Sequence, residues 1–214
     1  NSFEDVLKLA DTIEYPIVVK PAIMHSFHKQ FGKKAYLCSD KDSLIEKVKF
    51  IHENKYPINQ ILLQEYLSGG AKTLYSYGVY AENGEPQAWI MANRIRQNPM
   101  DFGNSTTFAI TCKIPEIEEA ARKILSATKY TGLAEIEFMY DEKNGVYKFL
   151  EINTRAWKWH SISKAFGWGF MSELIFNKNG ANSEYVDSDS RKAWVERLTD
   201  FAVVLKELLK GRMK

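Results

Sequence analysis

The chain has 214 residues, 45% hydrophobic and 26% charged, with a net charge of +2. This is ordinary globular composition, sufficient for one large domain or two intimate lobes. So small a net charge, without long lysine or arginine runs, gives no special attraction to nucleic acid or to a membrane surface.

Ser2 is an N-cap candidate for a first helix, Phe3 to Ala10, with acidic residues in its first turn. Tyr15-Pro-Ile-Val-Val-Lys20 reads as a short β-branched strand started by proline, and Lys34 to Cys38 as another. Phe31-Gly32-Lys33-Lys34 then lies in a loop between two strands. Asp40 to Glu53 has helical periodicity through Leu44, Ile45, Val48 and Ile51, with Ser39 or Asp40 as cap. Gln60 to Glu65 is a buried strand leading into Tyr66-Leu67-Ser68-Gly69-Gly70. Thr73 to Tyr80 and Gln87 to Ile95 are strands joined by the Glu82-Asn83-Gly84-Glu85 turn, and Thr106 to Thr111 is a further strand. Pro115 to Thr128 is a helix with proline in its first turn. Gly132 to Tyr140 and Val146 to Asn153 form a hairpin, with Asn144-Gly145 supplying positive φ at its turn. Ser161 to Phe176 is helical, broken around Gly167 and Gly169. Ser190 to Lys210 reads as one long amphipathic helix. This order is α+β, not alternating βαβ.

Several positions carry possible chemistry. Residues i and i+2 of a strand share a face, so Glu151, Asn153 and Arg155 point the same way, and hairpin pairing can bring Glu137 beside Glu151. Oxygen donors of this kind suit Mg²⁺; two solvent-facing glutamates on an edge hairpin have the same spacing. Lys20, ending an apolar strand, is either a phosphate-binding point charge or a strand-end lysine reaching solvent. Gln64 to Gly70 is either a hinge whose backbone bonds an adenine edge or a strand exiting into a turn. Arg94 and Arg96, two apart on a strand, can clamp phosphate or carboxylate groups. The histidines show no metal-ligand spacing, and Trp157, Trp159 and Trp168 read as packing. Cys38 and Cys112 lie in apolar strand-like stretches and read as buried free thiols of a reduced, cytoplasmic protein. No apolar run reaches the ~18 residues of a membrane span.

Taken in order, Tyr15 to Pro21, the Phe-Gly-Lys-Lys stretch, Leu62 to Gly70, Gly132 to Phe138 and Phe149 to Arg155 resemble the ATP-grasp superfamily. Within it, Pro99 to Thr107 and Arg155 to His160 are most similar to carboxylate–amine ligases of the D-aspartate ligase and carbamoyl-phosphate-synthetase-like group. The resemblance implies an α+β ATP-grasp fold of two lobes with ATP in the cleft between them. It also implies lobe A over 1–66, lobe B over 67–180 and a C-terminal helix over 181–214.

Site residues follow from the same resemblance. Lys20 would contact ATP phosphates, with Lys33 and Lys34 in the lid; here one glycine, Gly32, stands where many members have several. Gln64, Glu65 and Leu67 would bind adenine. Glu137, Glu151 and Asn153 would hold Mg²⁺, and Arg155 would face the transferred phosphate. Arg94 and Arg96 would hold the acceptor carboxylate or that phosphate. The reaction implied is carboxylate activation as an acyl phosphate, followed by attack of an amine. A nucleotide-binding module inactive alone and an ATP-grasp phosphotransferase share the site. Because Asn1 opens directly into a helix, a fragment lacking a preceding Rossmann-like domain is expected.

Overall fold

The structure, a computed structural model, describes residues 2–100, 103, 105–166 and 191–212. Two compact units divide between Leu67 and Ser68.

The first unit is built on a three-stranded antiparallel sheet, in the order β2–β1–β3. Its strands are β1 (Ile17–Pro21), β2 (Tyr36–Cys38) and β3 (Ile61–Glu65). Helix α1 (Phe3–Leu9) starts at a capping box in which Ser2 and Asp5 satisfy each other's backbone N–H groups. Helix α3 (Lys41–Glu53) starts the same way, with Asp40 as its cap and Ser43 as the reciprocal partner. Leu44, Val48 and Ile51, spaced three and four apart, are fully buried on its inner face. Ile17, Val19 and Ile61 meet them in the core.

The loop expected between β1 and β2 contains a helix, α2 (Met24–Phe31). Among the described residues no side chain caps its N-terminus, and the sequence carries no start signal there. Tertiary packing holds it instead. Phe27 is fully buried, with the rings of Phe31, Tyr36 and Tyr56 within 4.6 to 5.9 Å. Gly32, at φ 65°, ends the helix in the left-handed region.

The second unit carries a six-stranded antiparallel sheet, ordered β8–β7–β4–β5–β6–β9. In chain order these are β4 (Leu74–Glu82), β5 (Glu85–Asn98), β6 (Ser105–Thr111), β7 (Gly132–Asp141), β8 (Val146–Asn153) and β9 (Ala193–Val195). The β4–β5 turn has positive φ at both Asn83 and Gly84, the twist a two-residue hairpin requires. In the β7–β8 turn Gly145 alone has positive φ. Asn144 contributes its side chain there, donating to Asp141 Oδ2 at 2.6 Å.

One register shift matters to the site. Glu137 pairs with Glu151, but Phe138 pairs with Phe149, so Leu150 is an extra, bulged residue in β8. Strict alternation from Phe149 would put Glu151 on Phe149's side of the sheet. The bulge transfers it to the side of Glu137.

Helix α4 (Pro115–Thr128) has proline at its start and covers one face with Ile117, Ala121 and Leu125. These pack on Tyr77, Val79, Trp89, Met91, Ile136 and Phe138. The opposite face packs Ala88, Ile90 and Ala92 against Trp157, Trp159 and Ile162. Gly78 permits that approach: a Cβ added there would lie 2.3 Å from Trp157 Cζ2.

The single helix expected over Ser190 to Lys210 is a strand followed by a helix, α5 (Arg197–Leu209). Residues 193 to 195 extend the sheet because β6 offers an open edge, with Thr111 N–H donating to Lys192 O at 2.9 Å. Trp194 then packs among the Trp157 cluster. The Glu196 carboxylate accepts from Thr199 N–H at 3.0 Å and starts α5. The helical expectation over Ser161 to Phe176 is met by a 3₁₀ segment, His160–Phe166; its remainder and Trp168 lie outside the described residues.

Candidate active site

Four neighbouring strands, β8, β7, β4 and β5, build the acidic group. Glu137 on β7 lies between Ser76 on β4 and Glu151 on β8. Arg94, two residues after Ala92 on β5, shares their face. Glu137 is 7% exposed, Glu135 4% and Arg94 1%. The Arg94 Nη1 group donates to Glu137 Oε1 and lies 4.0 Å from Glu135 Oε1. Trp159 Nε1–H donates to Glu135 Oε1 at 2.9 Å. Asn153 Nδ2 donates to Glu137 Oε1 at 3.0 Å and to Glu151 Oε1 at 3.3 Å. Burial pushes the Glu137 carboxyl up to about 7, against the pull of Arg94 and with help from Glu135 and Glu151.

Two carboxylates and a carboxamide thus converge, and the amide hydrogens of Asn153 point between the carboxylates. A hard divalent cation suits the carboxylate oxygens, because Mg²⁺ typically takes one or two carboxylates and completes its shell with water or phosphate. The Asn153 carboxamide, whose Oδ1 here accepts from Arg155, would join them by turning that oxygen inward. Among the described residues no three His, Cys, Asp or Glu side chains form a metal cage. Arg155 lies past the end of β8, exposed, and donates through Nη2 to Asn153 Oδ1 at 3.5 Å.

The two arginines of β5 are committed to the chain itself. Arg94 faces two buried carboxylates. Arg96 forks onto Asp200 of α5, at 2.8 Å from Nε and 2.6 Å from Nη2, and stacks 4.2 Å over Phe108. Register irregularities on either side of Arg96 separate it from the Glu137 group. Neither pairing could be read from strand alternation, since their partners lie 43 and 104 residues away.

Within the first unit, Lys20 pairs across the sheet with Leu62, and Val18 pairs with Gln64. Lys20, Leu62 and Gln64 therefore share the face turned away from Val19 and the core. Glu65 ends β3, and the next amide, Tyr66 N–H, is taken by Pro16 O at 3.2 Å. Leu67 is half-buried. Lys33 is exposed, its Nζ 5.3 Å over the Tyr36 ring, whereas Lys34 is half-buried and its pKa is lowered by that burial.

Sequence reasoning missed two members of the acidic group. Trp159 packs as expected, but its indole N–H also holds Glu135. Ser76 lies opposite Glu137 with a buried hydroxyl that has no hydrogen-bond partner among the described residues. Its alternation with the apolar residues of β4 was the available signal. A cavity of about 490 Å³ lined by Tyr75, Asn93, Thr111, Lys113 and Arg191 includes none of these residues. Tyr75 and Asn93 point to the other face of the sheet, so this cavity is separate from the acidic group. Cys38 and Cys112 are free; Cys38 is buried but Cys112 only half-buried, and burial pushes the Cys112 thiol up to about 12.

The model of the carbamoyl-phosphate synthase L chain ATP-binding domain matches residues 1–173. The chain belongs to this family. Its ATP-grasp fold is shared with solved enzymes. The biotin carboxylase domain of Hydrogenobacter thermophilus 2-oxoglutarate carboxylase, solved with MgADP, ADP and bicarbonate, superimposes with a TM-score of 0.57 at 18% identity, over 78% of this chain and 36% of that one. Among curated relatives, the carbamoyl phosphate synthase large chain of Methanothermobacter thermautotrophicus is 27% identical over 176 residues, or 78% of this chain and 16% of its own. The D-aspartate ligase of Enterococcus faecium is 24% identical over 84% of this chain and 45% of its own. The chain therefore spans less than half the length of these relatives.

Proposed function

We propose that this carbamoyl-phosphate synthase-type domain binds Mg-ATP and serves a ligase that activates a carboxylate as an acyl phosphate for attack by an amine. The observation that carries the reading is the Glu137–Glu151 pair with Asn153 between them, on adjacent strands of a chain from an ATP-binding family. A carboxylate alone is a poor acyl donor because its leaving group would be oxide. Transfer of the γ-phosphoryl group to a carboxylate oxygen makes phosphate the leaving group and releases ADP. The amine then bonds to the acyl carbon as phosphate departs.

In this scheme Glu137, Glu151 and Asn153 hold Mg²⁺, which when bound neutralises phosphate charge. Lys20 supplies a further positive charge to the phosphates, as would Lys33 and Lys34. Gln64, Glu65 and Leu67 hold the adenine. Arg155, exposed beside Asn153, meets the transferred phosphoryl group. Such transfers need positioning and charge neutralisation more than covalent help. The two free cysteines suit a reducing compartment, and we place the protein in the cytoplasm. Among the described residues no helix is long and apolar enough to cross a membrane.

A second reading is a nucleotide-binding module that turns over only within a longer protein. It is favoured by the 16% and 45% spans of the two curated relatives. Thermal-shift titration with Mg-ATP, followed by ADP-release assays on the longest available chain with a panel of amino acids, separates these readings. ATP binding with ADP release only in the longer chain selects the module. Absence of Mg-ATP binding in both chains refutes both.

A further inference from the structure

We propose that Arg94 is a positioning residue for the metal-holding carboxylate of Glu137, not a contact to nucleotide or acceptor. The inference rests on the proposed metal role of Glu137 and Glu151. Its ground is geometric. At 1% exposure Arg94 is the most buried charged side chain of the group, and its Nη1 donates to Glu137 Oε1. Asn153 Nδ2 donates to the same oxygen. Both bonds converge on Oε1, which fixes the carboxylate plane and leaves Oε2 the better placed oxygen for a cation. Glu135 competes for the same guanidinium from 4.0 Å, and Trp159 Nε1–H restrains it at 2.9 Å. The chain of contacts therefore runs Trp159, Glu135, Arg94, Glu137, Asn153 and Glu151. A carboxylate buried this deeply loses its hydration, and a guanidinium in direct contact is the strongest replacement a protein offers. Removal of such an outer partner typically weakens a metal site by about 10- to 100-fold.

The test is Mn²⁺ binding, followed by electron paramagnetic resonance with ADP present, on the whole chain. R94M should weaken Mn²⁺ binding by about 10- to 100-fold, while R94K, which keeps a charge on Glu137, should recover most of the loss. R94M binding Mn²⁺ as the wild type does would overturn the inference. So would R94K as weak as R94M, because packing alone would then explain the effect. If R94M does not fold, W159F carries the test. It frees Glu135 to draw Arg94 away and should weaken Mn²⁺ binding by about 10-fold; unchanged binding would again refute the inference. Wild-type protein that binds no Mn²⁺, or E151Q binding as wild type, would overturn the metal reading itself. That outcome is distinct from wild-type binding that is indifferent to Arg94.

Discussion

The two faces of the six-stranded sheet are made by the same strands and behave oppositely. Under α4 lie Tyr77, Val79, Met91, Ile136 and Phe138, an apolar core closed by Ile117, Ala121 and Leu125. On the other face Arg94, Glu135 and Glu137 are equally buried, among Trp157, Trp159 and small residues such as Ala92 and Gly78. Alternation along β4, β5 and β7 separates the two environments by one residue. The dry face needs shape alone. The charged face needs its charges paired, because an unpaired buried charge costs several kcal/mol. Arg94 meets Glu137 and Glu135, while the neutral Ser76 hydroxyl is left over among the described residues.

Breaking this contrast on the charged side should show most strongly in chemistry. Glu151→Ala should lower metal-dependent ATP turnover by about 100-fold or more. Its unfolding midpoint should move little, because Glu151 is exposed. Steady-state assays with parallel urea melts check this; full turnover in the variant refutes the site. On the dry side the order should invert. Phe138→Ala should cost about 3–5 kcal/mol of stability, measured by denaturant unfolding, while the molecules that remain folded keep their Mn²⁺ affinity. Gly78→Ala sits between the two. Its new methyl meets Trp157, so a loss of about 1–3 kcal/mol is expected, together with weaker Mn²⁺ binding as Trp159 shifts beside it.

The smallest effects concern pH, and they have opposite signs on one strand. Glu137 is held near 7, above its ordinary 4.5, mainly by burial. The folded protein therefore holds a proton that the unfolded chain releases, and stability should fall as pH rises from about 4.5 to about 7. Added Mg²⁺ should flatten that slope by favouring the ionised carboxylate. Asp141, four residues on, is held at about 2 by Lys148 and Asn144, below its ordinary 3.8. Its contribution is present above 3.8 and is lost as pH falls towards 2. Thermal melts of Asp141→Asn should lose the acid limb alone, and those of Glu137→Gln the neutral one.

Much of this architecture was legible in the chain. The β7–β8 hairpin, the Asn83-Gly84 turn and α4 from Pro115 follow from local signals, and each lies where those signals put it. The closeness of Glu137 and Glu151 follows only in part: the hairpin brings their strands together, but it is the bulge at Leu150, which no local signal announces, that puts the two on one face. Helix α2 was hidden because aromatic packing, not a cap, holds it. Strand β9 was hidden because an amphipathic pattern near a helix start reads as helix until a sheet edge offers hydrogen bonds. The partners of Arg94 and Arg96 are long-range, and no spacing rule reports which carboxylate a buried guanidinium will meet.

The bulge at Leu150 has a consequence for how this hairpin can vary. Side-chain direction in a strand is a matter of parity: each residue gained or lost inverts everything beyond it. Leu150 stores one odd count between the turn and the acidic pair. A chain lacking Leu150 would keep Glu151 opposite Glu137 with a regular ladder, the two facing the same way. The turn half of the hairpin can therefore change length by a single residue while the acidic half keeps its bearing.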